Sequence, residues 1–218
     1  MAAVIFDLDG TLVDSAPDIH AAVNRLLADM GEAALSAETV KSFIGNGVPT
    51  LVARVLAACG HGPDPARLAE WQAGFLRHYE ADSTTLTQLY PGVTEALSAL
   101  LDQGHQLALC TNKPERPARH ILDTFGLTGF FPALIGGDSL PRRKPDPAPL
   151  RAAAAGLDGP VLFVGDSEVD AETALAAQVP FLLFTEGYRK APVSALPHAA
   201  RFARFSDLPA LVARLAAD

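Results

Sequence analysis

From Tyr90 onward the chain alternates short apolar runs with amphipathic stretches of about ten residues, and this alternation restricts the fold more than any other feature. The apolar runs predict strands at Gln106–Cys110, Ala133–Gly136, Val161–Val164 and Phe181–Phe184, with a further short one at Ala200–Phe205. The stretches around them, Gly92–Gln103, Pro114–Phe125, Pro147–Ala155, Glu168–Gln178 and Leu208–Ala217, predict helices. Strands joined through helices need crossover connections, and crossovers produce a mainly parallel sheet with helices on its faces.

One strand stands apart from the others. Ala2–Phe6 is an apolar run at the start of the chain, and a long helical stretch separates it from the rest. Ile19, Val23, Leu26, Leu27 and Met30 recur at three and four residues between Pro17 and Met30, one face of a helix that Gly31 ends. Ala37–Ile44, opened by Ser36, and Val48–Cys59 follow as helices, with Gly45-Asn46-Gly47 as the turn between them. Another helix runs from Asp64 or Pro65 to about Tyr79. The expected architecture is an α/β fold: a doubly wound, mainly parallel, Rossmann-like core from residues 1–15 and 83–218, with an inserted α-helical cap over residues 16–82.

A formal charge of -8 argues against a nucleic-acid partner, because phosphate backbones demand a basic surface. A small anionic substrate remains compatible, since a local cation overrides the global field. Cys59 and Cys110 lie far apart with no Cys-x-x-Cys pair, which suits a reducing cytosol and argues against a zinc site or a disulfide framework. The opening residues read as a strand rather than a signal peptide, and no apolar stretch is long enough to span a membrane. The expectation is a cytoplasmic protein without a membrane partner, monomeric or homodimeric.

The chemistry is carried where the strands end. Ala2–Phe6 runs into Asp7 and Asp9, then into a turn at Gly10-Thr11. The strand ending at Cys110 runs into Thr111-Asn112-Lys113. Asp138 and the basic loop Arg142-Arg143-Lys144-Pro145 follow the third strand. Gly165-Asp166-Ser167 closes the fourth, with Asp170 one turn into the next helix. In a parallel sheet these ends share one edge, the edge at which open α/β sheets bind ligands.

Such a set suits a phosphate and a divalent cation. A carboxylate nucleophile splits phosphoester hydrolysis into two displacements, and a second carboxyl moves the proton that each displacement requires. A lysine and a metal offset repulsion between an anionic nucleophile and an anionic phosphate. A hydroxyl and backbone N–H groups hold the remaining phosphoryl oxygens. An oxygen-only ligand set favours Mg²⁺.

Taken singly, each feature has a plainer meaning. Asp-x-Asp-Gly also opens calcium loops, but such a loop needs Gly and Glu where Leu12 and Asp18 stand. Thr111-Asn112 could cap a helix, Lys144 could be a solvated lysine, and Asp166 with Asp170 could simply favour a helix start. Their recurrence at successive strand ends favours the chemical reading. Neither a Gly-x-Ser-x-Gly elbow nor a phosphate-binding Gly-x4-Gly-Lys-Ser/Thr loop occurs.

The four segments, in this order, resemble the motifs of the haloacid dehalogenase superfamily of phosphatases. Asp7 to Ser15 is similar to the first motif, Thr111-Asn112 to the second, Lys144-Pro145 to the third, and Gly165 to Asp170 to the fourth. The resemblance implies that Asp7 is the nucleophile and Asp9 the general acid/base, with Lys144 steadying the intermediate. It implies phosphoryl binding by Thr111, with Asn112 and Gly10 beside it. The implied Mg²⁺ site joins Asp7, Asp166 and the main-chain carbonyl of Asp9, with Asp170 orienting metal-bound waters. The dehalogenases of the superfamily lack the second aspartate, so Asp9 favours a phosphatase.

Within the superfamily the likeness is to bacterial phosphoglycolate phosphatases. It rests on Phe43 to Pro49, Leu89 to Val93, Cys110 to Pro114, Gly136 to Ser139 and Lys144 to Pro147. It implies hydrolysis of 2-phosphoglycolate, a small phosphorylated metabolite, to glycolate and phosphate. The alternatives are a phosphatase of another small metabolite, a sugar phosphomutase, or a non-catalytic phosphometabolite-binding protein. Gln178 departs from the pattern, which commonly has Gly at that helix end.

Overall fold

The computed structural model describes residues 1–217. By its internal packing the chain divides into two compact units, one of Met1–Asp14 with the chain from Leu89 onward, the other of Ser15–Gln88.

The first unit is built on a six-stranded parallel sheet. Its strands are β1 (Ala3–Phe6), β2 (Gln106–Cys110), β3 (Ala133–Ile135), β4 (Val161–Gly165), β5 (Phe181–Phe184) and β6 (Ala200–Phe202), in the spatial order β3-β2-β1-β4-β5-β6. Order reverses on either side of β1, the arrangement that opens a crevice at the carboxyl ends of the strands. All four residues of β1 are fully buried. A continuous apolar strand of this kind belongs in the middle of a parallel sheet, where both faces are covered.

Successive side chains of the central strands enter different cores. Val4, Phe6, Leu107, Leu109, Leu162 and Val164 pack in one cluster, beneath residues of α5 (Val93–Asp102), α6 (Glu115–Thr124) and α9 (Leu208–Leu215). Ile5, Ala108, Cys110 and Phe163 pack in the other, against α7 (Ala148–Ala154) and α8 (Glu168–Ala177). This is the period-two alternation of a strand applied to a three-layer sandwich. Each large side chain so buried contributes roughly 1.5–3 kcal/mol.

Register decides which residues meet at the carboxyl edge. Phe6 stands beside Leu109 on one flank and Val164 on the other. The Asp7 N–H extends this ladder by donating to the Val164 carbonyl at 2.9 Å, and the Thr111 N–H donates to the Ile135 carbonyl at 3.0 Å. Asp7, Thr111 and Asp166 therefore emerge side by side.

The second unit is helical, with α1 (Ala16–Asp29), α2 (Ala37–Lys41), α3 (Val48–Ala58) and α4 (Pro65–Ala81). Helix α1 packs on α4 and α2, and α3 packs on α4. Gly74 lets α1 and α4 approach closely, since a Cβ there would lie 2.7 Å from Leu26 Cδ1. Asp18 is buried in α1 and accepts the Leu86 and Thr87 N–H groups and the Thr87 hydroxyl, binding the returning chain to the first helix. Arg54 donates to the Phe43 carbonyl at 2.8 Å and to Asn46 Oδ1 at 3.0 Å, which fixes the turn at Gly45-Asn46-Gly47.

Several element ends differ from the sequence expectation. The helix expected to reach Ile44 stops at Lys41, where the Ser42 hydroxyl donates back to the Thr39 carbonyl in competition with helix propagation. The strand expected over Ala200–Phe205 ends at Phe202, and Phe205–Asp207 forms a 3-10 turn that feeds α9. Hydrophobicity alone could not separate the two, because Phe202 and Phe205 are both buried in the same cluster. Two further two-residue strands, Val13–Asp14 and Gln88–Leu89, lie inside stretches with no strand pattern. Among the described residues no helix is long and apolar enough to cross a membrane.

Candidate active site

The loop after β1 is a tight turn closed by its own backbone. The Leu8 carbonyl accepts N–H groups from Thr11, Leu12 and Val13, and the Gly10 N–H donates to the Val13 carbonyl at 2.8 Å. Gly10 has a φ of 87°, and a Cβ there would lie 2.5 Å from Asp166 Oδ2. On the other side, a Cβ at Gly187 would meet that same oxygen at 2.3 Å. Two absent side chains thus leave the space that the Asp166 carboxylate fills.

Asp166 has a partner for each oxygen. Thr11 Oγ1 donates to Oδ1 at 2.8 Å, and the Tyr188 N–H donates to Oδ2 at 2.6 Å. Asp170 caps α8 in a reciprocal pair with Ser167, whose hydroxyl donates to Asp170 Oδ2 at 2.6 Å. The other oxygen of Asp170 receives Lys144 Nζ at 2.7 Å. Lys144 is itself buried, 2.9 Å from Asp7 Oδ1, with its ammonium over the Phe163 ring.

Asp7, Asp166 and Asp170 can each present an oxygen within 4.8 Å of the other two. Burial pushes the Asp7 carboxyl up to about 6, against the pull of Lys144 and with repulsion from Asp170 and Asp9. Burial also raises Asp166 well above the usual carboxylate range, with Asp170 and Asp7 adding to it, although the Thr11 and Tyr188 hydrogen bonds oppose the rise. Burial by itself would lower Lys144; Asp170 and Asp7 outweigh it and hold the ammonium charged.

The remaining residues surround this cluster. Lys113 Nζ contacts Asp9 Oδ1 at 2.9 Å and Oδ2 at 3.1 Å. Thr111 is buried, and its Oγ1 accepts the Lys113 N–H at 3.2 Å. Asn112 Nδ2 donates to the Lys144 carbonyl at 3.0 Å, which ties the basic loop to the end of β2. Asp7, Asp9, Gly10, Thr111, Asn112, Lys144, Asp166 and Asp170 thus all lie in the same compact unit.

A divalent cation fits this donor set. The carboxylates of Asp7, Asp9, Asp166 and Asp170, set against the ammonium groups of Lys113 and Lys144, leave two uncompensated negative charges when all are ionised. Asp7 Oδ1, although within ion-pair range of Lys144, receives no hydrogen bond among the described residues and keeps lone pairs available. All the donors are oxygens, the preference of a hard cation.

Sequence reasoning did not single out Thr11, Tyr188 or the contact between Lys113 and Asp9. Thr11 and Lys113 lie inside segments it had marked, so their neighbours were the available signal. Tyr188 follows β5 in a stretch without a motif, and only the folded loop brings its N–H to Asp166.

An acidic centre partly offset by lysines, at the carboxyl edge of a doubly wound sheet, suits an enzyme that acts on phosphoryl groups. Comparison with known proteins makes the class specific. The family model described as haloacid dehalogenase-like hydrolase matches residues 1–178. The chain is 59% identical over 218 residues, all of both proteins, to a phosphoglycolate phosphatase of Cereibacter sphaeroides. It is 47% identical over 211 residues, 96% of each protein, to a phosphoglycolate phosphatase of Rhodobacter capsulatus. Among solved structures, a predicted phosphoglycolate phosphatase from Haemophilus somnus superposes with a TM-score of 0.90 at 34% identity, over 96% of this chain and 97% of that one. The chain belongs to the haloacid dehalogenase-like hydrolases, and within them it is a phosphatase.

Proposed function

We propose that this phosphatase hydrolyses 2-phosphoglycolate to glycolate and inorganic phosphate in the cytoplasm, with Mg²⁺ as cofactor. The substrate assignment is supported by the relative that is 59% identical over its full length and named for that activity. The reaction is supported above all by one observation, the buried Asp7 carboxylate paired with Lys144 and clustered with the carboxylates of Asp166 and Asp170.

Asp7 is the nucleophile. Its oxygen forms a bond to phosphorus as the bond to the glycolate oxygen breaks, giving an aspartyl phosphate. Lys144, held charged by Asp7 and Asp170, balances the negative charge on the transferring group. The Thr111 hydroxyl holds one of its oxygens, with Asn112 keeping the Lys144 loop in place; the N–H groups of Gly10, Thr11, Leu12 and Val13 are engaged in closing the turn itself. Asp9 delivers a proton to the departing alkoxide, then takes one from the water that attacks the aspartyl phosphate. Asp7, Asp166 and the Asp9 main-chain carbonyl would hold Mg²⁺, which would offset the repulsion between the anionic nucleophile and the anionic ester. Asp170 holds Lys144 through one oxygen and would orient waters of the bound cation.

The helical unit is proposed as the cap that selects the substrate by shape. The test is a comparison of kcat/KM for 2-phosphoglycolate against other two- and three-carbon phosphate esters. A clear preference for 2-phosphoglycolate supports the assignment, and a better three-carbon ester would replace it.

A further inference from the structure

Asp7 and Asp9 each face a buried lysine of their own. Lys144 serves Asp7, and Lys113 meets both oxygens of Asp9 at 2.9 and 3.1 Å. We propose that Lys113 is a positioning residue, which holds the Asp9 carboxylate in the rotamer from which it exchanges a proton with the leaving oxygen of the substrate. The inference rests on the assignment of Asp9 to proton transfer.

Asp9 needs such a restraint. It lies two residues from Asp7 in a tight turn, and its side chain can rotate about two bonds. A divalent cation held by Asp7 and Asp166 would draw the Asp9 carboxylate toward it, and a carboxylate serving as a ligand would be lost to proton transfer. Lys113 offers a competing charge in a fixed place. Contact with both oxygens sets the orientation of the carboxylate as well as its position.

The lysine is anchored well enough to do this. Its N–H donates to Thr111 Oγ1 at 3.2 Å, and its carbonyl accepts the Gly137 N–H at 2.8 Å. The loop after β3 lies so near that a Cβ at Gly137 would come within 2.2 Å of the Asn112 carbonyl oxygen. The Lys113 backbone is therefore clamped between two strand ends. Its side chain is 4% exposed and that of Asp9 14%, so little water screens the pair. Ion pairs this dry seldom stabilise a fold better than apolar residues would, which points to placement as the purpose of this one.

Proton delivery matters in proportion to the basicity of the leaving group. Glycolate leaves as an alkoxide and needs the proton, whereas p-nitrophenolate leaves readily without it. The test measures kcat/KM of wild type, Lys113→Met and Lys113→Arg on 2-phosphoglycolate and on p-nitrophenyl phosphate. Lys113→Met is expected to lose on the order of a hundredfold on 2-phosphoglycolate, with a loss at least about tenfold smaller on p-nitrophenyl phosphate. Lys113→Arg, which keeps a charge able to reach both oxygens, is expected to recover part of that difference. The ratio between substrates cancels any loss of folded enzyme. Equal losses on the two substrates, or no loss on either, would overturn the inference. Should wild type fail on 2-phosphoglycolate, the substrate assignment falls alone, and ethyl phosphate, another alkoxide donor, takes its place in the same ratio.

Discussion

Asp166 is placed by small features on two segments: the missing side chain of Gly10 and the hydroxyl of Thr11 on one, the missing side chain of Gly187 and the N–H of Tyr188 on the other. The two hydrogen bonds hold the carboxylate close to Asp7 and Asp170 despite their mutual repulsion, and burial with that repulsion explains its raised pKa. A bound cation relieves the repulsion, so it should stabilise the folded protein whether or not substrate is present. A ligand at a hundred times its Kd contributes about 2.7 kcal/mol, or on the order of 5–10 °C in Tm for a chain of this size. Adding Mg²⁺ to chelator-treated protein is therefore expected to raise Tm by several degrees, and Asp166→Asn is expected to abolish that rise. A variant with the wild-type shift would remove Asp166 from the cation site. Asp7 and Asp166 were legible in the sequence because each stands at the end of an apolar run, and Asp170 because it lies one turn beyond. The Tyr188 contact was not, since a backbone N–H in an unpatterned loop leaves no mark in residue identity.

At the scale of elements, α8 ends on Gln178 in the left-handed region, with φ 61° and ψ 41°. It is the only such non-glycine residue among those described. Its side chain is exposed, so glycine would relieve the backbone without removing a packed group. Gln178→Gly is expected to raise the unfolding free energy by roughly 0.5–1 kcal/mol in urea titration, with activity unchanged. The departure at this helix end was visible in the sequence; its conformation required the structure. The opposite edge of the sheet carries a pH dependence. The Ala2 N–H donates to His105 Nδ1 at 3.1 Å, next to the ladder bond from the Gln106 N–H to the Ala2 carbonyl. Burial, followed by the N-terminal ammonium, lowers the His105 pKa below the ordinary 6.5. The folded protein therefore binds fewer protons here than the unfolded chain. This contribution to stability is complete above about pH 6.5 and is lost as pH falls through the lowered value. The stability difference between wild type and His105→Gln is expected to shrink from pH 7.5 to pH 5, as read from urea midpoints. A constant difference would contradict the shift.

For the molecule as a whole, the parallel sheet was legible because its strands are continuous apolar runs separated by helical periodicity. Element ends were harder to read. Phe202 and Phe205 share a core although only the first lies in a strand, and the Ser42 hydroxyl ends a helix whose apolar pattern runs on. Packing divides the chain between Asp14 and Ser15 and again between Gln88 and Leu89. All the aspartates and lysines assigned to the reaction fall in the α/β unit, and choice of substrate is the role proposed for the helical one. The whole account rests on Asp7 as the residue that is phosphorylated, and it can be trapped there. Asp9→Asn enzyme still accepts a phosphoryl group from an ester with a good leaving group, but it releases that group slowly because no carboxylate activates the water. The decisive measurement mixes this variant with Mg²⁺ and p-nitrophenyl phosphate, quenches in acid, and maps phosphorylation by peptide mass. The expected result is one phosphoryl group on Asp7. Release of p-nitrophenolate with Asp7 unmodified, or with the group on another residue, would contradict the mechanism.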